Sequence, residues 1–192
     1  MLQDESILLA ASTDKGVALL QSLMPPGSFP HTVVCRSGGE CRRALLEQQF
    51  AMVLINTPLS DESGLDLALE TAHSTVSAVL MLVKAELADT VSVRVEEHGV
   101  LVVTKPVVRQ MFDMAMRYAM AGRSRLLALR AENDRLQRRL QEQRTVDRAK
   151  CLLIQYRHLS EDQAHRLLEK EAMDTRQTRI AVAQRVIAMY DE

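Results

Sequence analysis

Apolar residues in the first 105 positions fall into five short runs, separated by stretches with helical spacing. The runs are SILLAA from Ser6, TVVC from Thr32, MVLI from Met52, AVLMLV from Ala78 and VLVVT from Val100. Short runs without alternation are typical of strands buried on both faces. Between them, apolar residues recur every three or four positions, which predicts helices over 14–24, 37–49, 64–73 and 89–98. This alternation predicts an α/β fold with a five-stranded parallel sheet covered by helices on both sides.

A single long helix is predicted from Arg109 to Arg157, with an apolar heptad repeat along it. One seam position holds Phe112, Ala119, Leu126, Asn133 and Leu140, and the other holds Ala115, Gly122, Leu129 and Leu136. Alternating spacings of three and four make two helices supercoil with their seams facing. Between Leu126 and Leu140 most other residues are charged, polar or alanine, so the stripe is narrow for a core face. We therefore expect a dimeric coiled coil whose register Asn133 fixes, against the alternative of an amphipathic helix packed on its own domain.

The last segment begins at about Arg144, where the heptad pattern ends. Ser160 and Gln163 form a capping box before a helix whose buried face is Ala164, Leu167, Leu168 and Ala172. Asp174 and Gln177 repeat that arrangement and predict another helix, with Ile180, Ala183, Val186 and Ile187 facing inward. Three helices with short turns predict a small bundle. The predicted domains are therefore 1–120, a coiled-coil linker at 121–143, and 144–192.

Charge is unevenly divided between the two halves of the chain. Residues 1–108 hold 7 Lys/Arg against 13 Asp/Glu, whereas residues 109–192 hold 17 against 12. A basic C-terminal half favours a polyanion partner, although a solvated helix surface explains the same charge. No apolar run is long enough to cross a membrane, and the N-terminus carries Asp4 and Glu5 rather than a leader pattern, so we expect a cytoplasmic protein. Cys35, Cys41 and Cys151 lack metal-ligand spacing and are expected to be reduced structural thiols.

The carboxyl ends of the strands form the edge where ligands bind in parallel sheets. At that edge the sequence places Ala11, Ser12, Asn56, Val83 and Lys105. With Pro58 and Gly64 after the third run and Lys105-Pro106 after the fifth, residues 1 to about 120 resemble the flavodoxin-like receiver domain of bacterial two-component response regulators.

The resemblance implies a phosphoacceptor Asp where Asn56 stands, and a metal-binding acidic pair where Ala11 and Ser12 stand. It also implies a Thr or Ser at Val83 or, with an offset of one residue, at Lys84. Only Lys105 matches. An amide cannot form an acyl phosphate, and Mg²⁺ requires charged oxygens. We therefore expect a pseudo-receiver that is not switched by aspartyl phosphorylation and that holds no metal or cofactor.

The C-terminal segment carries a second set of matching residues. They are Arg148-Ala149-Lys150 with Leu152-Leu153, Leu159-Ser160-Glu161 with Ala164 and Leu167-Leu168, and Ala172-Met173-Asp174-Thr175-Arg176 with Val182-Ala183. On these residues, Leu140 to Ile187 closely resembles the ANTAR domain, the RNA-binding module of bacterial transcription antitermination regulators. His165 stands where Phe or Tyr is common in that family, a change expected to loosen the bundle core.

This second resemblance implies a homodimer that binds paired hairpins of nascent mRNA and so prevents a terminator from forming. Arg148, Lys150, Arg176 and Arg179 offer cations for phosphates, and Gln177 and Thr178 offer hydrogen bonds to unpaired bases. Solvated helix surface remains the alternative for Arg148 and Lys150, and capping remains the alternative for Gln177.

Two other classes of function compare less well with the sequence. A protein-interaction regulator, with a pseudo-receiver controlled by a partner protein or ligand, is the alternative that we retain. An enzyme is disfavoured because no nucleophile, base and orienting group converge at the predicted sheet edge.

Overall fold

The computed structural model describes residues 6–25, 27 and 29–190, so Asp4 and Glu5 lie outside the described residues. The chain divides into two compact units, Met1–Ala128 and Leu129–Glu192. The first contains a parallel sheet of order β2-β1-β3-β4-β5, which confirms the predicted fold class. Its strands are β1 Ser6–Ala11, β2 His31–Cys35, β3 Met52–Asn56, β4 Ala78–Lys84 and β5 Leu101–Lys105.

Helices cover both faces of this sheet. They are α1 Asp14–Leu23, α2 Gly38–Glu47, α3 Leu65–Ser74, α4 Ala85–Val95, a 3-10 turn at Glu96–His98, and the start of α5 Arg109–Arg157. Helices α1 and α5 pack with alternate strand residues on one face, and α2, α3 and α4 pack on the other. The predicted helix at 89–98 begins earlier, at Ala85, because Lys84 is extended and leads directly from β4 into α4. Gly99 ends the 3-10 turn with a φ of 73°, in the left-handed region that favours glycine.

The first turns of α5 belong to the core of their own unit, which corrects part of the predicted coiled-coil seam. Phe112 is fully buried and Ala119 is 8% exposed, and both pack with residues of β1, β3 and β4. Over two or three turns a heptad stripe and a core-facing stripe coincide, so spacing alone does not separate them. The seam leucines Leu129 and Leu140 are each 61% exposed within the chain.

The second unit is a bundle of the last part of α5 with α6 Glu161–Thr175 and α7 Arg179–Tyr190. Its buried residues are Ala149, Leu153, Ala164, Leu168, Ala172, Val182, Ala183 and Val186. The capping box predicted at Ser160 and Gln163 is present in both directions. His165 is exposed, so the expected loosening of the core by this residue is wrong.

The second predicted capping box, at Asp174 and Gln177, is absent. Asp174 lies inside α6, which ends at Thr175; the C-cap residue, Arg176, adopts the left-handed conformation with a φ of 54°. The backbone N–H of Gln177 donates to the Ala172 carbonyl at 3.0 Å, as in a helix C-cap of the Schellman type. Thr178 caps α7 instead, its Oγ1 accepting from the N–H of Ala181 at 3.3 Å. No glycine marks the end of α6, and for this reason the residue pattern predicts the boundary between α6 and α7 too early.

Two further features bear on the sequence-based expectations. Cys35, Cys41 and Cys151 are free thiols, the first two buried and the third exposed. Within the described part of the chain, no helix is both long enough and apolar enough to cross a membrane.

Candidate functional site

The carboxyl edge of the sheet brings together the residues expected there. Asn56 ends β3 in register with Ala11 at the end of β1. Ala11 is buried, and Ser12 Oγ donates a hydrogen bond to the Pro58 carbonyl at 3.1 Å. Neither side chain at the expected acidic positions carries a charge.

The side-chain amide of Asn56 packs against the first turn of α1. A Cβ built on Gly16 would lie 2.5 Å from Asn56 Nδ2, closer than real Cβ atoms approach, so a larger residue at position 16 would displace this amide. Asn56 Oδ1 is buried without a hydrogen-bond partner among the described residues. The amide therefore occupies the space between the end of β3 and α1 without the charge that would draw a cation.

The two acids closest in sequence to this edge are engaged elsewhere. Asp14 pairs with Arg36. Asp61 accepts hydrogen bonds from the backbone N–H groups of Gly38 at 2.8 Å and Gly39 at 3.1 Å. These bonds hold the pKa of the Asp61 carboxyl below its usual range and tie the loop after β3 to the start of α2.

Two lysines, by contrast, lie at the edge. Lys105 Nζ donates to the Thr57 carbonyl, and its pKa is lowered, first by burial and then by the nearby charge of Lys84. Val83 is buried in the core, whereas Lys84 is exposed at the end of β4 and in register with Lys105. The structure thus favours the one-residue offset, with Lys84 rather than Val83 at the edge. In the residues described, no group of three or more His, Cys, Asp or Glu side chains could hold a metal ion.

In the second unit, Lys150 is tied to two carboxylates. Its Nζ lies 2.9 Å from Asp147 in the same helix and 3.2 Å from Glu161 at the start of α6, and its side chain is only 14% exposed. The hydrogen bond to Asp147, followed by that to Glu161, raises the pKa of Lys150. Lys150 therefore joins α5 to α6. Arg148, two residues earlier, is exposed.

The remaining predicted RNA-binding residues lie in the turn between α6 and α7. Arg176 is the C-cap of α6, and Thr178 caps α7. Arg179 pairs with Glu169 at 3.4 Å, and His165 contacts the same carboxylate at 3.2 Å. Gln177 and Arg179 line a pocket of about 340 Å³.

The structure does not bring these predicted residues into one cluster. Lys150 contacts Glu161 at the first residue of α6, whereas Arg176 stands just beyond its last. At 1.5 Å of rise per residue the two ends of α6 are about 22 Å apart. Lys150 and Arg176 thus lie at opposite ends of this helix, and Arg179 contacts Glu169 between them.

Between the end of α5 and α6 lies a groove that the residue pattern does not predict. It has a volume of about 660 Å³ and is lined by Arg157, Leu159, Gln163, Arg166, Leu167 and Lys170. The spacing of Gln163, Arg166 and Lys170 is the signal that could have shown it, since residues three and four apart share a helix face.

Comparison with known proteins agrees with this architecture. Residues 134–187 match the family model of the ANTAR domain, and no curated protein matches the chain. A signal receiver domain of an HD domain-containing protein from Pseudomonas fluorescens Pf-5 is similar in structure, with 17% identity and a TM-score of 0.58, covering 67% of this chain and 95% of that one. A response regulator receiver domain protein from Clostridium thermocellum is also similar in structure, with 21% identity and a TM-score of 0.55, covering 64% of this chain and 98% of that one. A structure described as adenylate cyclase from Rhodopirellula baltica has 19% identity and a TM-score of 0.58, covering 68% of this chain and 98% of that one.

At these identities the likeness to solved structures establishes the fold of the first unit alone: it is receiver-like. The family match then defines the second part of the chain, which is an ANTAR domain. The chain thus combines a receiver-like fold in its first unit with an ANTAR domain at residues 134–187.

Proposed function

We propose that this chain is an RNA-binding transcription antitermination regulator, acting as a dimer on paired hairpins of nascent mRNA. The observation that carries the proposal is the ANTAR match over residues 134–187, which contains the core residues of the bundle from Ala149 to Val186. RNA binding is what this family implies for the domain. The proposal assigns the chain no catalytic step.

Dimerisation is supported by the exposed seam on α5. Leu126, Leu129, Leu136 and Leu140 are 39%, 61%, 48% and 61% exposed on a helix whose other residues are mostly polar. Exposing a row of leucines at heptad spacing to water is unfavourable, and the leucines become buried when a second helix with the same repeat packs against them. Asn133 is also exposed and lies between them, where an amide pair would fix the register.

A receiver that aspartyl phosphorylation does not switch is supported by the chemistry of the sheet edge. Asn56 carries an amide in place of a nucleophilic carboxylate, and Asp14 and Asp61 are held by other partners. The charged groups that do lie there, Lys84 and Lys105, repel Mg²⁺. Control of this protein would then come from its assembly or from a partner.

The test is binding of the purified protein to a labelled RNA with two adjacent hairpins, with duplex DNA of matched length as the control, across a salt series. The proposal expects tight binding to the RNA with a shallow dependence on salt, and weak binding to the duplex. Equal, weak binding to both that falls steeply with salt would refute it, because such binding reflects charge alone.

A second candidate, a regulator controlled by a partner protein, is favoured by one feature of the first unit. An apolar groove of about 360 Å³ lies between β5 and α5, with Val108, Met111, Met114 and Tyr118 exposed along it. If a partner binds there, Met111→Asp with Met114→Asp should change regulation in cells while leaving the RNA affinity of the purified protein unchanged. Unchanged regulation in cells would exclude this groove as the point of control.

A further inference from the structure

Two sets of polar residues on α6 lie on different flanks of the helix. At 100° per residue, Gln163, Arg166 and Lys170 lie within about 60° of one another. We call these three the cationic flank. Glu161, His165 and Glu169 form the acidic flank on the other exposed side of the helix.

The acidic flank is already neutralised within the unit. Glu161 binds Lys150, and Glu169 binds both Arg179 and His165. Arg166 and Lys170, in contrast, take part in no ion pair within residues 6–25, 27 and 29–190. Asp174, one turn beyond Lys170, does not line the groove. The free cations of α6 thus project from the side that faces the groove.

The groove adds an apolar floor and a third cation to the cationic flank. Leu159 and Leu167 are half-buried and lie between the polar residues that line it. Arg157, at the end of α5, donates a hydrogen bond from Nε to the Tyr190 hydroxyl at 2.8 Å. That bond fixes the guanidinium near the groove while its two terminal nitrogens keep their donors.

Two neighbouring details suit an unpaired nucleotide. Gln163 Oε1 accepts from the Ser160 N–H at 2.8 Å in the capping box, whereas its Nε2 makes no hydrogen bond in the described part of the chain and can donate to a base edge. The ring of Tyr190, which anchors Arg157, stacks on that of Tyr156 with centroids 5.0 Å apart. Apolar or aromatic surfaces for bases beside cations for phosphates are the usual means of binding single-stranded RNA.

We propose that this groove is the binding site for an unpaired nucleotide of the RNA hairpin loop. The base lies on Leu159 and Leu167, and the flanking phosphates bind Arg157, Arg166 and Lys170. The inference rests on the proposed RNA-binding function and assigns the contact to the middle of α6. It differs from the sequence-based set, whose Lys150 and Arg179 are already paired with carboxylates.

The experiment measures RNA affinity of the full-length protein by fluorescence anisotropy, with the two-hairpin RNA at several salt concentrations. The test variant is Arg166→Ala with Lys170→Ala, and the matched control is Arg144→Ala with Arg185→Ala, which removes two exposed helical cations outside the groove. We expect the groove variant to raise Kd by about tenfold or more and to reduce the salt slope by about 1.4, for two lost single-strand phosphate contacts. The control variant should change Kd by less than about threefold.

A charge-retaining variant, Arg166→Lys with Lys170→Arg, separates a binding role from damage to the helix. It should keep Kd within about threefold of wild type, since both positive charges remain to bind phosphates. Equal losses in the groove and control variants, or an equal loss in the charge-retaining variant, would overturn the groove assignment while RNA binding itself stood. Absence of RNA binding by the wild-type protein would overturn the proposed function as well.

Discussion

Replacing Leu136 by alanine should weaken the dimer by an amount that the structure allows us to work out. Fully burying a leucine contributes about 1.5–3 kcal/mol. Leu136 is 48% exposed in the single chain, so burying this exposed part in the dimer contributes about 0.7–1.4 kcal/mol per chain. A dimer contains two copies, which gives about 1.4–3 kcal/mol in total. At 1.4 kcal/mol for each factor of ten, the dimer Kd should rise roughly 10- to 100-fold.

Sedimentation velocity over a range of protein concentrations measures this shift directly. The matched control is Leu127→Ala, which removes the same side chain from the same helix, at a position that is 37% exposed and outside the seam. Circular dichroism at high concentration would show that both variants remain helical. If Leu136→Ala sedimented like the wild type, or if Leu127→Ala dissociated to the same extent, the seam assignment would be refuted.

Four further outcomes are expected. Incubation with a small phosphodonor and Mg²⁺ should leave the mass unchanged, because Asn56 cannot form an acyl phosphate; a phosphorylated species in mass spectrometry would contradict this. Asn133→Leu should raise Tm and broaden the oligomer distribution in ultracentrifugation, since the buried amide costs stability but fixes the register; a sharply dimeric variant with unchanged Tm would contradict its role. Because the pKa of Asp61 is lowered in the folded protein, its carboxylate stabilises the fold above the ordinary carboxyl pKa range, and this stability is lost as the pH falls below that range. Asp61→Asn should therefore flatten the decline of Tm between about pH 5 and pH 2. An unchanged decline would show that Asp61 does not contribute to it. Lys150→Ala should lower the stability of the C-terminal unit by about 1 kcal/mol, because its two ion pairs are partly exposed. The RNA affinity, measured well below Tm, should stay within about threefold of wild type. A larger loss of affinity would mean that Lys150 contacts the RNA.

The receiver-like sheet could be predicted almost completely from sequence. Each of its strands is a short apolar run, but burial on both faces is confirmed only for β1, β3 and β4. The expectation is wrong for β2, which lies at the edge of the sheet and is largely exposed, with Val34 38% exposed. The residues at the ends of β1, β3 and β5 meet at one edge in any parallel sheet, so Ala11, Asn56 and Lys105 could be placed together in advance. The position at the end of β4 could not be fixed in this way, because assigning Val83 or Lys84 to the edge depends on the register with β5.

The stop of α6 shows why some local boundaries were missed. The Ser160 and Gln163 box was predicted correctly because its bonds join residues three apart in sequence. Arg176 adopts a left-handed conformation that arginine rarely takes, and no glycine marks it. The bond from the Gln177 N–H to the Ala172 carbonyl closes this turn, although no residue in it has a preference for the left-handed conformation.

By itself the sequence determined the elements of this protein, the long helix from Arg109 to Arg157 and the resemblance of its last segment to an ANTAR domain, since these depend on periodicity and local spacing. Only the tertiary structure decided which polar side chains are free. Lys150 meets Glu161 eleven residues away, and Arg157 meets Tyr190 across the bundle, so their roles follow from how the helices cross. Periodicity indicates which face of a helix is polar, but it does not indicate which residues of other helices or strands contact that face. Phe112 likewise lies at a heptad position, yet it is buried because the sheet covers that side of α5.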